Sequence, residues 1–354
     1  MGNNFKEFTE KELAVFIAGL GEKPYRASQI INWIYKKLAS SFDEMTDLPL
    51  EFREELDKTA FISNLKLLQE QISSDGTRKF LFQLEDSKSI ESVLIPNTRG
   101  EDKFTLCISS QAGCALGCKF CVTGKLGLKR NLKAYEIVDQ VIAVQRSIGR
   151  PKEVHSRPAI TNIVFMGMGE PLNNFNEVLE ALSRITKLMG FSIKRITVST
   201  AGIIPGIYKL AEKAPDVNLA ISLNAVTDAI RSSIMPVNKK YPLKELLKAC
   251  KEFPLAPRKH ITFEYVLLNG INDSKDDAMR LVKLLRGIRS KVNLIPYNPA
   301  PAQETISLYG QPSENKILEF QDILHKAGII ALIRKSMGAD ISAACGQLKA
   351  SYLE

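Results

Sequence analysis

Cys114, Cys118 and Cys121 stand in the run GCALGCKFC as C-x-x-x-C-x-x-C. Three thiolates this close on one loop can each hold one iron of a four-iron, four-sulfur cluster, leaving the fourth iron open to another ligand. A structural zinc site asks for a fourth Cys or His nearby, and His155, His260 and His325 fall in no ligand spacing. Cys118 and Cys121 also form a C-x-x-C of the redox type, but Cys114 beside them favours the cluster. Cys250, in LLKACKEF, lies on an apolar stripe and is read as core. By residue type alone, Cys107 and Cys345 are either small buried hydrophobes or reactive thiols. Gly167-Met168-Gly169-Glu170 sets a carboxylate among glycines, which suits an ammonium group approaching the backbone or a plain turn.

The composition of the whole chain narrows the setting. Its 354 residues, 45% hydrophobic and 25% charged, are ordinary globular proportions for one large or two medium domains. The start, MGNNFKEFTEKEL, has no basic stretch followed by an apolar run, and later apolar runs are of strand length. A cytoplasmic protein without membrane association is expected, in which six cysteines point to metal binding or catalysis. Lys+Arg of 48 against Asp+Glu of 39 gives a net charge of +9, which favours a polyanionic partner. Lys119, Lys125, Lys129, Arg130 and Lys133 form one basic group, and Arg286, Arg289 and Lys291 another; each is a phosphate-binding candidate or a solvated face.

Such a loop needs a scaffold. Helical spacing appears over 10–20, 26–38 and 50–58, with Ile30, Ile31, Trp33 and Ile34 along one stripe. Strand-like segments lie at 65–72, 77–84 and 89–95, the first two joined at Ser74-Asp75-Gly76, and predict a small antiparallel sheet. From Thr105 onward strands and helices alternate. Strands are expected at 105–109, 161–165, 195–199, 217–223, 261–267 and 292–296, with helices around 135–147, 176–189, 205–213, 242–253 and 275–286. Six such units predict an α/β fold with a parallel sheet curled into a full or partial barrel, its site at the carboxyl ends of the strands. A helix near 314–326 and a strand near 329–334 precede a tail containing Cys345.

The cysteine spacing is the signature of the radical S-adenosylmethionine superfamily, and the resemblance is narrower than that. FTLCISSQAGCALGCKFCVTG, FMGMGEPLNN, ITVSTAGIIP, ISLNA, NLIPYNP and ADISAACGQL, in this order, resemble the RlmN/Cfr family of RNA adenine methyltransferases from about Glu91 to Leu348. The resemblance implies a partial (β/α)6 barrel at 101–335, a helical accessory module at 1–60, a small β segment at 61–100 and a carrier tail at 336–354. It implies one [4Fe-4S] cluster on Cys114, Cys118 and Cys121, and two molecules of S-adenosylmethionine per turnover. Gly169, Glu170, Ser199, Ser222, Leu223, Asn224 and Asn298 would contact that cofactor. Family members often carry His where Asn224 stands, and Asn can hydrogen-bond there but cannot take a charge.

Carbon 2 of adenine is electron-poor and cannot attack a sulfonium methyl, whereas a carbon radical can add to it. By the resemblance, the Cys345 thiolate first takes a methyl group by displacement. A radical derived from a second S-adenosylmethionine then activates that methyl, which joins adenine C2 and ties RNA to protein. Glu91 would accept the departing C2 proton, and Cys107 would take the carrier sulfur as a disulfide. Otherwise Glu91 would be a surface carboxylate. Pro171, after Glu170, fits the C2-methylating branch, where the C8 branch usually has Ala. The expected substrates are 23S ribosomal RNA and transfer RNA, for rRNA and tRNA processing, with the basic groups holding phosphates of an unpaired loop. A monomer served by a one-electron donor such as a flavodoxin is expected. The competing readings are C8 methylation of the same adenine and a non-catalytic, metal-containing RNA-binding protein.

Overall fold

The computed structural model describes residues 2–97, 103–149, 159–299 and 309–348. The chain starts with a helical module: β1 (Asn3–Asn4), α1 (Glu10–Gly19), α2 (Arg26–Tyr35), α3 (Leu50–Thr59) and β2 (Ala60–Phe61), with β1 and β2 pairing in parallel. A capping box starts α1, where the Glu12 amide donates to Thr9 Oγ1 and the Thr9 amide to Glu12 Oε2. The stripe expected on α2 is buried at Ile30, Trp33 and Ile34. Lys6 fastens this module to the barrel, its Nζ donating to Asp139 Oδ1 at 2.5 Å and to the Ser63 carbonyl at 2.6 Å.

Three antiparallel strands come next, β3 (Lys66–Ile72), β4 (Arg78–Gln83) and β5 (Ser89–Pro96), then β6 (Phe104–Cys107). A short antiparallel pair, β7 (Gln111–Gly113) and β8 (Leu128–Asn131), flanks the cysteine loop with its one-turn helix α4 (Val122–Lys125). The strands β9 (Ile160–Phe165), β10 (Ile196–Thr200), β11 (Asn218–Ser222), β12 (Ile261–Leu267), β13 (Ser290–Pro296) and β14 (Ile330–Ile333) then join β6 in parallel and in chain order. Between them run α5 (Ala134–Ser147), α6 (Phe175–Lys187), α7 (Ile204–Lys213), α8 (Asp228–Ile234), α9 (Leu243–Glu252), α10 (Lys275–Leu285) and α11 (Glu314–Lys326), whose apolar stripes share one core with the sheet. This is the open barrel expected.

Two features differ from expectation. The antiparallel segment is no separate sheet: β5 pairs with β6, so all ten strands form one continuous sheet from β3 to β14. Its parallel part also has seven strands, because β14 adds to β13. Alternation of apolar residues identifies which face of a strand is buried but not which strand lies beside it, so neither pairing could be read from the pattern. No helix among the described residues is long and apolar enough to cross a membrane.

Candidate active site

Sterics build the cysteine loop. Gly113 has φ +81°, and a Cβ there would lie 2.0 Å from the Gly127 carbonyl oxygen, so only glycine lets β7 and β8 close this tightly. The Cys114 amide donates to that carbonyl at 3.0 Å, and the Lys119 amide to the Ile234 carbonyl at 2.9 Å. Cys114, Cys118 and Cys121 thereby line one cavity of about 170 Å³ at the carboxyl ends of the parallel strands. Burial pushes the Cys114 thiol up to about 11 and raises Cys118 and Cys121 as well; the first two are raised further by neighbouring cysteines of the set. Thiols out of water and close to one another gain from a metal that takes them as thiolates. No trio of Cys, His, Asp or Glu among the described residues is gathered around a single point. A cluster, which places each thiolate on a different iron, fits this loop.

Opposite the cysteines, strand ends supply polar groups. Ser199, Ser222, Asn224, Asn298, Gly169 and Glu170 all line the cavity. Glu170 is buried, and its oxygens accept the Ala201 amide at 2.7 Å and the Leu172 amide at 3.0 Å. Burial raises its carboxyl to about 7 against the pull of those bonds and of Thr200. Asn224 holds a left-handed turn, φ +57°, while its Oδ1 accepts the Val266 amide at 2.8 Å. A Cβ on Gly169 would meet the Gln111 side chain at 2.5 Å, so this glycine is required by its own neighbour before any cofactor arrives. Leu223 is fully buried and absent from the cavity wall, and its amide and carbonyl are taken by the Glu264 carbonyl and Arg231.

Two wall-building residues escaped the motifs. Arg231, with no exposure, donates to the carbonyls of Ala201 (2.6 Å), Leu223 (3.0 Å) and Ser222 (3.2 Å), fastening together the loops after β10 and β11. Nothing in the sequence separates it from a surface arginine. Glu264, buried on β12 and lining the cavity, accepts from Asn293 Nδ2 at 2.9 Å. An acidic residue inside the apolar run ITFEYVLL was a readable signal.

The tail delivers Cys345 to the same cavity. The Val122 amide donates to the Gly346 carbonyl at 2.7 Å, and Thr123 Oγ1 to the Leu348 carbonyl at 2.5 Å, so the tail lies against the cysteine loop. Its other end is bound to the β3–β4 turn. Asp75 Oδ2 accepts the Gly338 amide at 2.8 Å, and the Asp340 carboxylate accepts Ser73 Oγ (2.5 Å) and the Ser74 amide (3.1 Å). The Cys345 residue is exposed and lines this cavity, and burial of its thiol, then the Glu264 carboxylate, push that thiol up to about 11 against the opposing Arg334 charge.

Under the tail lie the two remaining candidates. Cys107 on β6 sits opposite Val93 on β5, and Glu91 is two residues from Val93, so Glu91 and Cys107 share one face of the sheet. Ala343 and Leu348 of the tail pack there with Val93, Cys107 and Met168. Burial, then the nearby Cys345, raises the Cys107 thiol well above its ordinary value. Glu91 is 4% exposed, not a surface carboxylate; it pairs with Lys79 at 3.4 Å, and its carbonyl accepts from Ser109 Oγ at 2.6 Å. Cys250 is core, as expected.

Comparison with known proteins agrees with this geometry. The family model for the ribosomal RNA large subunit methyltransferase N-terminal domain matches residues 3–62, and that for the radical SAM superfamily matches 108–282. The dual-specificity RNA methyltransferase RlmN of Syntrophobacter fumaroxidans is 51% identical over 98% of this chain and 98% of its own length. The chain belongs to the RlmN family. The RlmN protein of Geobacter sulfurreducens is likewise 51% identical, over 98% of this chain and 92% of its own. The solved structure of a radical SAM methyltransferase from Sphaerobacter thermophilus superposes with a TM-score of 0.90 at 43% identity, covering 99% of this chain and all of that one. Membership in the RlmN family brings S-adenosylmethionine and a [4Fe-4S] cluster as cofactors.

The structure divides the basic residues singled out in the sequence. Lys119, Lys125 and Lys129 are exposed on or beside the cysteine loop. Arg130 is not available in the way expected: Asp86 and Glu136 both hold its guanidinium at 2.7 Å, and Lys133 is paired with Glu7. Arg286, Arg289 and Lys291 surround the start of β13, about 20 Å of strand away from the Pro296 end that meets the cavity, so this group lies at the wrong end of the barrel for the site.

Proposed function

We propose that this chain methylates carbon 2 of adenine in 23S ribosomal RNA and in transfer RNA, through a methyl group carried on Cys345. The observation that carries the reading is the placement of Cys345 on the wall of the cavity lined by Cys114, Cys118 and Cys121, above the sheet face that bears Cys107 and Glu91. When bound to those three cysteines and to the strand-end groups, the cluster and two molecules of S-adenosylmethionine per turnover supply the methyl group and the radical that activates it. The protein's own groups do the rest. Cys345, as thiolate, accepts the methyl and later holds the RNA adduct. Glu91 takes the proton that leaves C2. The Cys107 thiolate attacks Cys345 Sγ, forming a disulfide as the sulfur–carbon bond breaks; the bond's electron pair stays on the methylene carbon, which takes a proton to complete the methyl group of the released RNA.

Glu170, Ser199, Ser222, Asn224 and Asn298 orient S-adenosylmethionine, and Gly169 and Leu223 contribute through the backbone they shape. Lys119, Lys125 and Lys129 hold phosphates of a loop whose adenine is unstacked into the cavity. The module at 1–60 positions the RNA, and the enzyme works as a cytoplasmic monomer with an external electron donor such as a flavodoxin. Pro171 favours C2 over C8. Anaerobic turnover on ribosomal and transfer RNA transcripts with methyl-labelled S-adenosylmethionine, followed by nucleoside mass spectrometry, tests the reading. Labelled 2-methyladenosine in both RNAs is expected. Label in 8-methyladenosine, or none in either RNA, refutes it.

A further inference from the structure

Lys79 is buried on β4, and its ammonium has partners on two different segments. Its Nζ lies 3.4 Å from Glu91 Oε1 on β5 and donates, also at 3.4 Å, to the carbonyl of Ser342, three residues before Cys345. Register explains the meeting. Lys79 pairs with Val93, and Val93 pairs on its other side with Cys107, so the three residues make a row across β4, β5 and β6. Glu91, two residues from Val93, occupies the diagonal position on the same face, within reach of a long side chain. The tail covers that face with Ala343 and Leu348. One charged group therefore touches the expected proton acceptor and the backbone that places the expected methyl carrier.

We propose that Lys79 is a positioning residue that links seating of the carrier tail to the carboxylate of Glu91. A buried carboxylate needs an opposite charge and fixed donors to keep one orientation. Lys79 supplies the charge, and the Ser342 carbonyl fixes Lys79 only while the tail is in place. Glu91 is thus held toward the tail-bound adduct when the tail is seated. This inference rests on the reading of Glu91 as proton acceptor and Cys345 as carrier.

The test uses reconstituted, anaerobic enzyme and an RNA transcript. It monitors Cys345 methylation, 5′-deoxyadenosine formation, and the appearance and decay of the covalent protein–RNA adduct in K79M, K79Q, K79R and E91Q. In K79M and K79Q, methylation and cofactor cleavage stay within about threefold of wild type, while the adduct decays at least about tenfold more slowly. K79R, which keeps the charge, restores most of the rate. Alkylation of Cys345 by N-ethylmaleimide, read by peptide mass, rises severalfold in K79M and in K79Q. K79Q also replaces K79M should the latter fail to take up its cluster. Wild-type adduct decay in K79Q with E91Q still stalled would overturn the role of Lys79 and leave Glu91 as proton acceptor. Unchanged Cys345 alkylation in K79M breaks the link to the tail. Wild-type decay in E91Q removes the proton-acceptor reading itself, and the inference falls with it.

Discussion

Two thiols outside the cluster motif share a neighbourhood, and under the proposed function they act at different times, so their loss should leave different species. Cys345→Ala has no methyl carrier: intact-protein mass should show no added methyl, and denaturing gels no RNA adduct. Cys107→Ala keeps the carrier but lacks the attacking thiol, and should accumulate a nuclease-sensitive protein–RNA species. Normal turnover by Cys107→Ala would return that residue to the packed core in which it sits with Val93 and Met168. At this scale the sequence was most informative where chemistry is confined to one loop, because spacing along nine residues already fixes which thiols can meet. Arg231 and Lys79 were not legible. Each acts through groups contributed by distant strands, and an arginine or lysine carries no local mark of being buried.

The β3–β4 turn has a function that its sequence conceals. Ser74-Asp75-Gly76 reads as an ordinary hairpin turn, and it is one, with the Thr77 amide bonded to Asp75 Oδ1 at 2.9 Å. The same carboxylate also receives Gly338, a contact between residues 263 positions apart that no local pattern announces. Burial alone would raise the Asp75 carboxyl, but bonds from Thr77, Gly338 and Ser73 outweigh it and hold it down at about 2. A carboxyl lower in the folded state than its usual 3.8 stabilises the fold fully above that value, and the contribution is lost as pH falls through about 2. Asp75→Asn should therefore melt below wild type at pH 7, with the difference shrinking toward acid. At neutral pH it should also expose Cys345 to alkylation severalfold faster; equal alkylation rates would mean that the other tail contacts hold it without Asp75.

At the scale of the whole molecule, a buried ion pair helps to join the helical module to the barrel. Lys6 and Asp139 are 1% and 3% exposed, and burial drives the lysine down and the aspartate up, each opposed by its partner. Lys6→Met leaves a buried carboxylate without its lysine and should cost roughly 3–5 kcal/mol. Thermal melts should show this loss, and Lys6→Met combined with Asp139→Leu should recover part of it. Electrostatics toward RNA should be equally selective. Lys129→Glu should lower the logarithmic salt slope of RNA binding by about one unit per lost phosphate contact, whereas Arg130→Glu should act mainly on stability by breaking its pairs with Asp86 and Glu136. Equal slopes for wild type and Lys129→Glu would make that lysine a solvated surface residue.

The contact from Ser73 to Asp340 spans 267 positions, which makes the seat of the tail one of the longest loops this chain must close. The tail is held by a few hydrogen bonds and by Ala343, Ala344 and Leu348, far less burial than the barrel strands have, so it opens at lower cost than the barrel. Mild denaturant should thus silence methyl transfer to RNA while the cluster absorbance is still intact. An enzyme weakened anywhere in its fold would then fail by idling, consuming S-adenosylmethionine without modifying RNA, before it fails by unfolding.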